Sequence, residues 1–316
     1  EVVYPYASGS GSGNRTLDIL AEARSRGAAV GAFTVYNMEG IQAVIAAADA
    51  TGRSAILQAH PAALGFQRGV PLLSAAVSAA RACTAAGGPL ISVQLDHGDA
   101  KDHVLAALEA GVDSVMIDGS AMEYDDNVEW TTLLAALAHQ KGAAVEAELG
   151  RLAGEEDGLC ISELEAKMTD PAKVPEFLER TRADVLAVTV GNVHGKYANP
   201  NPKLDLPRLE RIRDASSRSS QGALDPQAGR GASEKQGTLL ALHGASGLPS
   251  GQVRRSIELG VCKFNVNTEV RTAAVDFWQG GAQGVEVRGS DILGLLDGSV
   301  DVMRSVIEAK MRQFDP

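Results

Sequence analysis

The stretch PLISVQLDHGD, residues 89–99, joins an apolar run to an acid and a histidine that are adjacent in the chain. A strand that ended in an ordinary solvated turn would need neither residue. Nearly continuous apolar runs are typical of strands that are buried on both faces, as in parallel sheets. Whether Asp96 and His97 belong to a larger arrangement depends on how the other strands end.

The sequence contains seven further apolar runs that are typical of buried strands. Each run is followed by a segment with the apolar spacing of an amphipathic helix. Several of these helical segments end at glycine, as at Gly52 and Gly111. This alternation predicts a (β/α)8 TIM barrel in a single domain. A doubly wound open sheet is the alternative. The eight predicted strands cover residues 29–35, 54–58, 89–95, 114–118, 143–149, 185–190, 238–243 and 262–266.

Three segments depart from the barrel pattern. Residues 1–14 have the composition of a flexible linker, so we expect the barrel to occupy residues 15–316. Residues 151–169 form a polar connection that is long for a loop after a strand, and we expect a mobile loop there. Residues 214–237, rich in Ser, Gly and Gln, are predicted to be a flexible insertion. The linker-like start and the insertion at 214–237 together suggest a module of a fusion protein.

Composition excludes several classes of partner. The net charge of −11, with scattered Lys and Arg, argues against nucleic-acid and anionic-membrane partners. No apolar run approaches the roughly 20 residues that span a bilayer. Cys83, Cys160 and Cys262 are far apart and form no CxxC pair, which favours a reducing compartment. We expect a cytoplasmic protein, with an organelle lumen as the alternative.

Three of the six histidines lie at predicted strand ends, which converge at one mouth of a barrel. His97 follows the third strand, His194 the sixth and His243 the seventh. Three imidazoles with an open position suit a catalytic divalent metal, and Zn²⁺ is the first choice. The other histidines, His60, His103 and His139, are better explained as loop or surface residues.

Asp96 precedes one of these histidines and could remove a proton from a carbon next to a metal-polarised carbonyl. Alternatively it could orient an imidazole. The segments GASG (244–247) and NVNTE (265–269) follow the next two strands. Their backbone amides, with the hydroxyls of Ser246 and Thr268, favour a phosphate group.

An ordered set of motifs identifies a family. The chain resembles the class II, metal-dependent ketose-bisphosphate aldolases from about residue 15 to the early 270s. The resemblance is carried by VQLDHG (93–98), AGVDSVMIDGS (110–120), EAELGRLAGEEDG (146–158), GNVHGKY (191–197), LHGASGLP (242–249) and CKFNVNTE (262–269).

The resemblance implies a role for each matching residue. Zn²⁺ would be bound by His97, His194 and His243, with Glu148 as a further acid at the metal, and a monovalent cation (Na⁺ or K⁺) nearby. Asp96 would remove the C3 proton of dihydroxyacetone phosphate. Glu156 on the mobile loop would act as an acid, whereas Glu155 is as well explained by a solvated loop. The implied substrate-binding residues are Gly195, Gly244, Ser246, Lys263, Asn265, Asn267 and Thr268.

The resemblance implies a lyase of carbohydrate metabolism, such as glycolysis, that assembles as a homodimer or homotetramer. It would cleave a small sugar phosphate, fructose 1,6-bisphosphate first, to dihydroxyacetone phosphate and an aldehyde such as glyceraldehyde 3-phosphate. The family usually has Asp or Ala where this chain has Asn267, and Ala59 and His60 replace the usual context of strand two. The alternatives are therefore a tagatose-bisphosphate or acid-sugar-phosphate aldolase, an isomerase or epimerase, or a non-catalytic metal and sugar-phosphate binding module.

Overall fold

The structure is a computed structural model that describes residues 12–67, 69–156, 159–161, 167–195, 197, 199, 201–219, 238–280 and 291–315. Its strands are β1 (Val30–Thr34), β2 (Ala55–Ala59), β3 (Ile91–Gly98), β4 (Ser114–Ile117), β5 (Ala144–Leu149), β6 (Ala153–Glu156), β7 (Leu159–Ile161), β8 (Val185–Val188), β9 (Val193–His194), β10 (Leu239–Leu242) and β11 (Val261–Val266).

The helices lie between these strands and at both ends of the fold. They are α1 (Arg15–Ser25), α2 (Met38–Thr51), α3 (Pro61–Gln67), α4 (Pro71–Ala85), α5 (Lys101–Glu109), α6 (Tyr124–Gln140), α7 (Val174–Thr181), α8 (Leu206–Ser219), α9 (Ser250–Glu258), α10 (Thr268–Trp278) and α11 (Ile292–Phe314).

Eight parallel strands close into a barrel in the order β1-β11-β10-β8-β5-β4-β3-β2. Each of the eight predicted strands overlaps one of them, so the prediction of a single-domain (β/α)8 barrel is confirmed. A large apolar cluster fills the layer between the barrel and its helices. This composition explains why the strands read as unbroken apolar runs in the sequence.

The floor of the barrel is apolar and is closed by α1. Ile19 and Leu20 of this helix pack in one cluster with Ile56 and Met116 of the strands. At the start of α1, the Thr16 hydroxyl lies 2.5 Å from the Ser92 hydroxyl and donates to that of Ser114 at 3.0 Å. The charged side chains inside the barrel lie above this floor, toward the carboxyl ends of the strands.

A β-bulge near the end of β3 explains why an acid and a histidine are neighbours there. Leu95 pairs with Val115 and Gly98 with Ile117, so β3 has one more residue than β4 over this span. His97 takes up the extra residue with a left-handed backbone, φ 46°. Neighbouring strand residues normally face opposite sides, but a bulge re-aims one of them. Both side chains can therefore face the barrel mouth.

The predicted mobile loop at residues 151–169 contains regular structure. Strands β6 and β7 pair as an antiparallel hairpin, and Arg151 bridges to Lys167 at its base. β6 also pairs with β9, which places Gly154 opposite His194. Residues 157–158 and 162–166 lie outside the described residues.

The structure differs from the predicted segment boundaries at two positions. Asn14, at the end of the predicted linker, caps α1, and its amide donates to the carbonyls of Asp113 and Gly142. The predicted insertion at 214–237 begins inside α8, which extends to Ser219. Residues 1–11 and 220–237 lie outside the described residues. None of the helices in the described ranges combines the length and apolar character needed to cross a bilayer.

We predict that Phe314→Ala destabilises the fold by about 3–5 kcal/mol, because truncating a buried phenylalanine leaves a cavity. Phe314 is fully buried and stacks on Phe264 with ring centroids 4.7 Å apart. Phe66→Ala is the matched control, since that side chain is 84% exposed and surface changes usually stay within about 0.5 kcal/mol. Chemical denaturation measures both, and equal effects would contradict the packing described for α11.

Candidate active site

Three histidines meet at the carboxyl end of the barrel. His97 lies at the end of β3, His194 in β9 and His243 directly after β10. The ring centroid of His97 is 5.2 Å from that of His194 and 5.0 Å from that of His243. One potential ligand atom from each ring lies within 4.8 Å of the other two. The structure thus brings together the three residues that the sequence predicts as metal ligands.

Carboxylates determine which nitrogen of two of these rings faces the centre. The Nδ1 of His97 is 2.7 Å from Asp118 Oδ2, and the Nε2 of His243 is 2.7 Å from Glu146 Oε1. Because an ionised carboxylate only accepts, each of these nitrogens carries the proton. The lone pairs of His97 Nε2 and His243 Nδ1 are left, and these two atoms are 3.2 Å apart.

This donor set fits a tetrahedral metal. If both rings were neutral, the lone pairs of these two nitrogens would point at each other and repel at this distance. Either a second proton on His97 or a metal cation between the two nitrogens would remove the repulsion. Zn–N bonds of about 2.0–2.1 Å in a tetrahedron place two ligand nitrogens about 3.3 Å apart. The observed 3.2 Å between His97 Nε2 and His243 Nδ1 agrees with that separation.

The electrostatics of the site favour a cation beside His97. Burial lowers the pKa of this imidazole, but the carboxylates of Asp96, Asp118 and Glu148 outweigh burial and raise the pKa well above its ordinary value. Burial and the charge of Asp118 also raise the pKa of Glu148 well above its usual range. For His243, burial prevails over Glu146 and lowers the pKa, so this ring is neutral at pH 7, as a metal ligand must be.

Glu148 lies close enough to His97 to share a metal ion with it. With His97 and Asp118 it forms a second group whose potential ligand atoms lie within 4.8 Å of one another. Its Oε1 is buried and has no hydrogen-bond partner among the described residues. These observations place the predicted metal-site acid beside His97.

Asp96 is buried beside the histidines and is held at both carboxylate oxygens. The Gln58 amide donates to Oδ2 at 2.9 Å, and the Asn265 amide donates to Oδ1 at 3.1 Å. Gln58 is in turn fixed by a hydrogen bond from its amide to Thr34 Oγ1. The carboxylate therefore has a fixed orientation at the barrel mouth.

A buried ion pair lies below the histidines. Lys263 Nζ is 2.8 Å from Glu146 Oε2 and 2.5 Å from Asn265 Oδ1. Gln94 also donates to Glu146. Burial would raise the pKa of Glu146, but the charge of Lys263 and the hydrogen bond from His243 hold that pKa well below its usual range. The sequence predicts Lys263 as a substrate-binding residue, and the structure places it beneath the mouth, without solvent exposure.

Hydrogen bonds join the segment that carries His194 to the segment that carries His243. The Asn192 amide donates to the His243 carbonyl at 3.1 Å, and Tyr197 Oη donates to the Gly244 carbonyl at 2.8 Å. Burial raises the pKa of Tyr197 to about 12, so its hydroxyl stays a donor. A Cβ at Gly244, where φ is 64°, would lie 2.0 Å from the Val193 carbonyl oxygen. Only glycine permits this approach between the two histidine loops.

The remaining predicted binding residues follow β9, β10 and β11 in the chain. Gly195, with φ 80°, directly follows His194. Ser246 Oγ accepts from the Glu269 amide at 3.4 Å, and Asn267 Oδ1 accepts from Tyr36 Oη at 2.8 Å. Thr268 begins α10, whose N-terminus faces this loop. Helix N-termini and glycine-rich turns are favourable for anions.

Glu155 and Glu156 belong to β6, whose backbone the structure describes. Gly154, just before them, pairs with His194, and a Cβ there would lie 2.1 Å from the His194 carbonyl oxygen. The hairpin is thus joined directly to the segment that carries a predicted metal ligand.

The other histidines divide into two groups. The His60 ring centroid is 5.8 Å from that of His97, so His60 lies at the mouth, although the sequence favours a simple loop role. His103 pairs with Asp99 on the surface, and His139 pairs with Asp184 away from the mouth.

Sequence reasoning assigned no role to several residues of the site. Asp118 directly follows the apolar run of β4, as Asp96 follows the apolar run of β3, so the position of an acid after such a run could have identified it. Glu146 lies two residues before Glu148, and Gln58 lies two residues before His60. Because residues two apart share a face of a strand, this spacing could have indicated that Glu146 and Gln58 point into the barrel. Tyr36 and Asn192 are recognisable only from their contacts.

Comparisons with known proteins agree with this geometry. A family model described as "Fructose-bisphosphate aldolase class-II" matches residues 14–316. A Coccidioides immitis structure assigned as a fructose-1,6-bisphosphate aldolase is 32% identical, with TM-score 0.82 and coverage of 96% of this chain and 97% of its own. The YdjI aldolase of Escherichia coli K12 is 27% identical, with TM-score 0.74 over 95% and 96%. The fructose-bisphosphate aldolase of Campylobacter jejuni, at 21% identity, TM-score 0.68 and coverage of 94% and 93%, shares the fold.

We predict that Gly244→Ala weakens divalent-metal binding by about 10- to 100-fold, as loss of ligand support commonly does, because the methyl group would push the two histidine loops apart. Gly27→Ala is the matched control. Gly27 has a similar φ of 68° but no atom within 4 Å of the added Cβ. Competition with a chelator measures affinity, and thermal unfolding checks that both variants fold. Equal affinities in the two variants would contradict the described contact.

Proposed function

The chain belongs to the class II fructose-bisphosphate aldolase family, and on that premise we propose that it is a zinc-dependent enzyme that reversibly cleaves fructose 1,6-bisphosphate. The products would be dihydroxyacetone phosphate and glyceraldehyde 3-phosphate. Class II aldolases are metal-dependent lyases that act on small sugar phosphates. The observation that carries the proposal is the buried carboxylate of Asp96 next to three converging imidazoles.

His97, His194 and His243 would hold the metal, with Glu148 as a nearby acid. Three nitrogen donors and the 3.2 Å separation of two of them support zinc. When bound, the ion would polarise the substrate carbonyl and stabilise the negative charge that develops on its oxygen. The proposal includes a monovalent cation, Na⁺ or K⁺, near the phosphate, which rests on the family resemblance alone.

Asp96 would act as the general base that removes the C3 proton of dihydroxyacetone phosphate. Its two oxygens each accept one hydrogen bond, from Gln58 and Asn265, which leaves further lone pairs to take the proton. The burial of Asp96 keeps water away from the carboxylate. Because its orientation is fixed before substrate arrives, little reorganisation would be needed during proton transfer.

The phosphate of the substrate would bind on the side formed by Gly195, Gly244, Ser246, Asn265 and Thr268. The N-terminus of α10 supports this placement, because the first backbone N–H groups of a helix favour anions. Glu156 would supply a proton to the newly formed hydroxyl when the hairpin approaches the mouth. The pairing of Gly154 with His194 supports a hairpin that responds to changes at the metal.

The choice of sugar is also part of the proposal. Asn267, with its oxygen held by Tyr36, would donate its amide to a substrate hydroxyl, and His60 borders the same mouth. Tagatose 1,6-bisphosphate and acid-sugar phosphates are the competing substrates. Measuring kcat/KM for each of these compounds and for fructose 1,6-bisphosphate would identify the preferred substrate. We expect the highest kcat/KM for fructose 1,6-bisphosphate.

Assembly and location complete the proposal. A homodimer or homotetramer is supported by exposed apolar side chains at the adjoining ends of α10 and α11, including Trp278, Ile292 and Leu293. A reducing compartment such as the cytoplasm is supported by the free thiols of Cys83 and Cys262. Cys160 has no described side chain.

The zinc-loaded protein should exchange the C3 hydrogen of dihydroxyacetone phosphate with deuterated water, and EDTA should abolish the exchange. Proton NMR of the C3 methylene follows the reaction without the second substrate. Absence of exchange in protein shown to contain zinc would remove the aldolase proposal and favour a binding module. Conversion of a ketose bisphosphate into a product with its carbon skeleton intact would instead favour an isomerase or epimerase.

Two variants separate the base from the metal ligands in the same assay. Asp96→Ala should keep its zinc and lose exchange by about 10²–10⁴-fold, the usual contribution of a general base. His194→Ala should lose both zinc and exchange. Metal analysis after dialysis gives the zinc content. Equal zinc content and equal exchange in the two variants would contradict the assigned roles.

A further inference from the structure

One buried lysine contacts both the carboxylate that holds His243 and the amide that holds Asp96. Lys263 is 0% exposed, and its ammonium lies 3.2 Å and 2.8 Å from the two oxygens of Glu146 and 2.5 Å from Asn265 Oδ1. We propose that Lys263 is a positioning residue that orients His243 through Glu146 and Asp96 through Asn265. The proposal rests on the aldolase function proposed above. It replaces direct substrate binding as the role of this lysine, because the three donors of the ammonium face these oxygens.

The first branch concerns the metal ligand. Glu146 is only 2% exposed and accepts the Nε2 proton of His243, which leaves Nδ1 for the metal. A carboxylate buried this deeply is very unfavourable without a partner cation. Among the described residues, Lys263 is the cationic side chain in contact with Glu146. The lysine thus stabilises the carboxylate that fixes the tautomer of His243.

The second branch concerns the base. An amide can be turned by 180° so that its oxygen and nitrogen exchange places, and contacts alone decide between the two orientations. Because the ammonium of Lys263 can only donate, the Asn265 atom beside it must be the oxygen. The NH₂ group must then face Asp96 Oδ1 at 3.1 Å and His243 Nδ1 at 3.4 Å.

Without this lysine the Asn265 oxygen would lose the donor that anchors it. Asp96 would still favour the NH₂ group on its side, because a turned amide would place two acceptors together, but the amide would be anchored at one end only. The N–H group that holds one oxygen of the base would then be less firmly positioned. A lysine that merely stabilised the barrel interior would lower stability on replacement but would not act on proton transfer through Asn265.

The test uses Glu146→Gln/Lys263→Met, which removes both charges and so avoids an unpaired buried ion. The glutamine oxygen can still accept from His243, so zinc affinity should stay within about 3-fold of wild type. The kcat for C3 exchange should fall about 10- to 100-fold, the usual cost of removing support for a catalytic centre, while KM changes little. Arg81→Met is the control, since Arg81 pairs with Asp113 at the opposite end of the barrel. It should retain wild-type kcat.

A double-mutant cycle tests whether the effect passes through Asn265. Asn265→Leu should reduce kcat on its own. Adding the charge-neutral pair of substitutions to it should cause little further loss, because residues that act as one unit are not additive. Losses that multiply would overturn the proposal, as would a wild-type kcat in Glu146→Gln/Lys263→Met.

A second variant guards against failure to fold. Glu146→Gln/Lys263→Gln keeps an amide that can donate to Asn265, and it should recover part of the lost kcat. Misfolding of both double variants would assign Lys263 a purely structural role and overturn the proposal. If wild-type protein loaded with zinc shows no exchange, the aldolase function itself fails. If wild-type exchanges and the neutral pair exchanges equally fast, only the role of Lys263 fails.

Discussion

Buried negative charge is the constraint on which this site depends. Asp96, Asp118, Glu146 and Glu148 lie together at one end of the barrel, and all four are buried or nearly so. Charges removed from water are very unfavourable unless cations or hydrogen bonds compensate them. Lys263 compensates Glu146. The field of the other three favours positive charge at His97, and a divalent cation among the imidazoles would supply it. The same buried carboxylates would therefore favour metal binding and make the site unstable without a compensating cation.

The barrel can carry this charge because inward positions recur every second residue. Gln94 and Asp96 are two apart in β3, as are Glu146 and Glu148 in β5, so each pair shares the inner face. The apolar floor below them is closed by α1. The bulge at His97 is the exception to this period, because it lets two consecutive side chains reach the mouth. A left-handed histidine backbone is costly and persists where surrounding structure enforces it.

The sequence was sufficient for the fold and for the residues at strand ends. Eight apolar runs, each followed by a helical pattern, predicted the barrel, and the same logic grouped His97, His194 and His243. It gave no role to Glu146, because a single acid inside an apolar strand does not reveal its partners. The burial of Lys263 was likewise not predictable, since lysines are rarely buried and the ion pair joins residues 117 positions apart. The β6–β7 hairpin is not predictable from the sequence, because β6 (AGEE) is largely polar and contains glycine, and β7 (LCI) has only three residues.

The central claim is that three imidazoles share one divalent ion beside Asp96. Anomalous diffraction at the zinc absorption edge, from crystals grown with zinc, tests it most directly. We expect one strong peak within bonding distance of His97 Nε2, His243 Nδ1 and a ring nitrogen of His194. Zinc-loaded crystals with no peak at that position, or with the three rings turned away from a common centre, would contradict it.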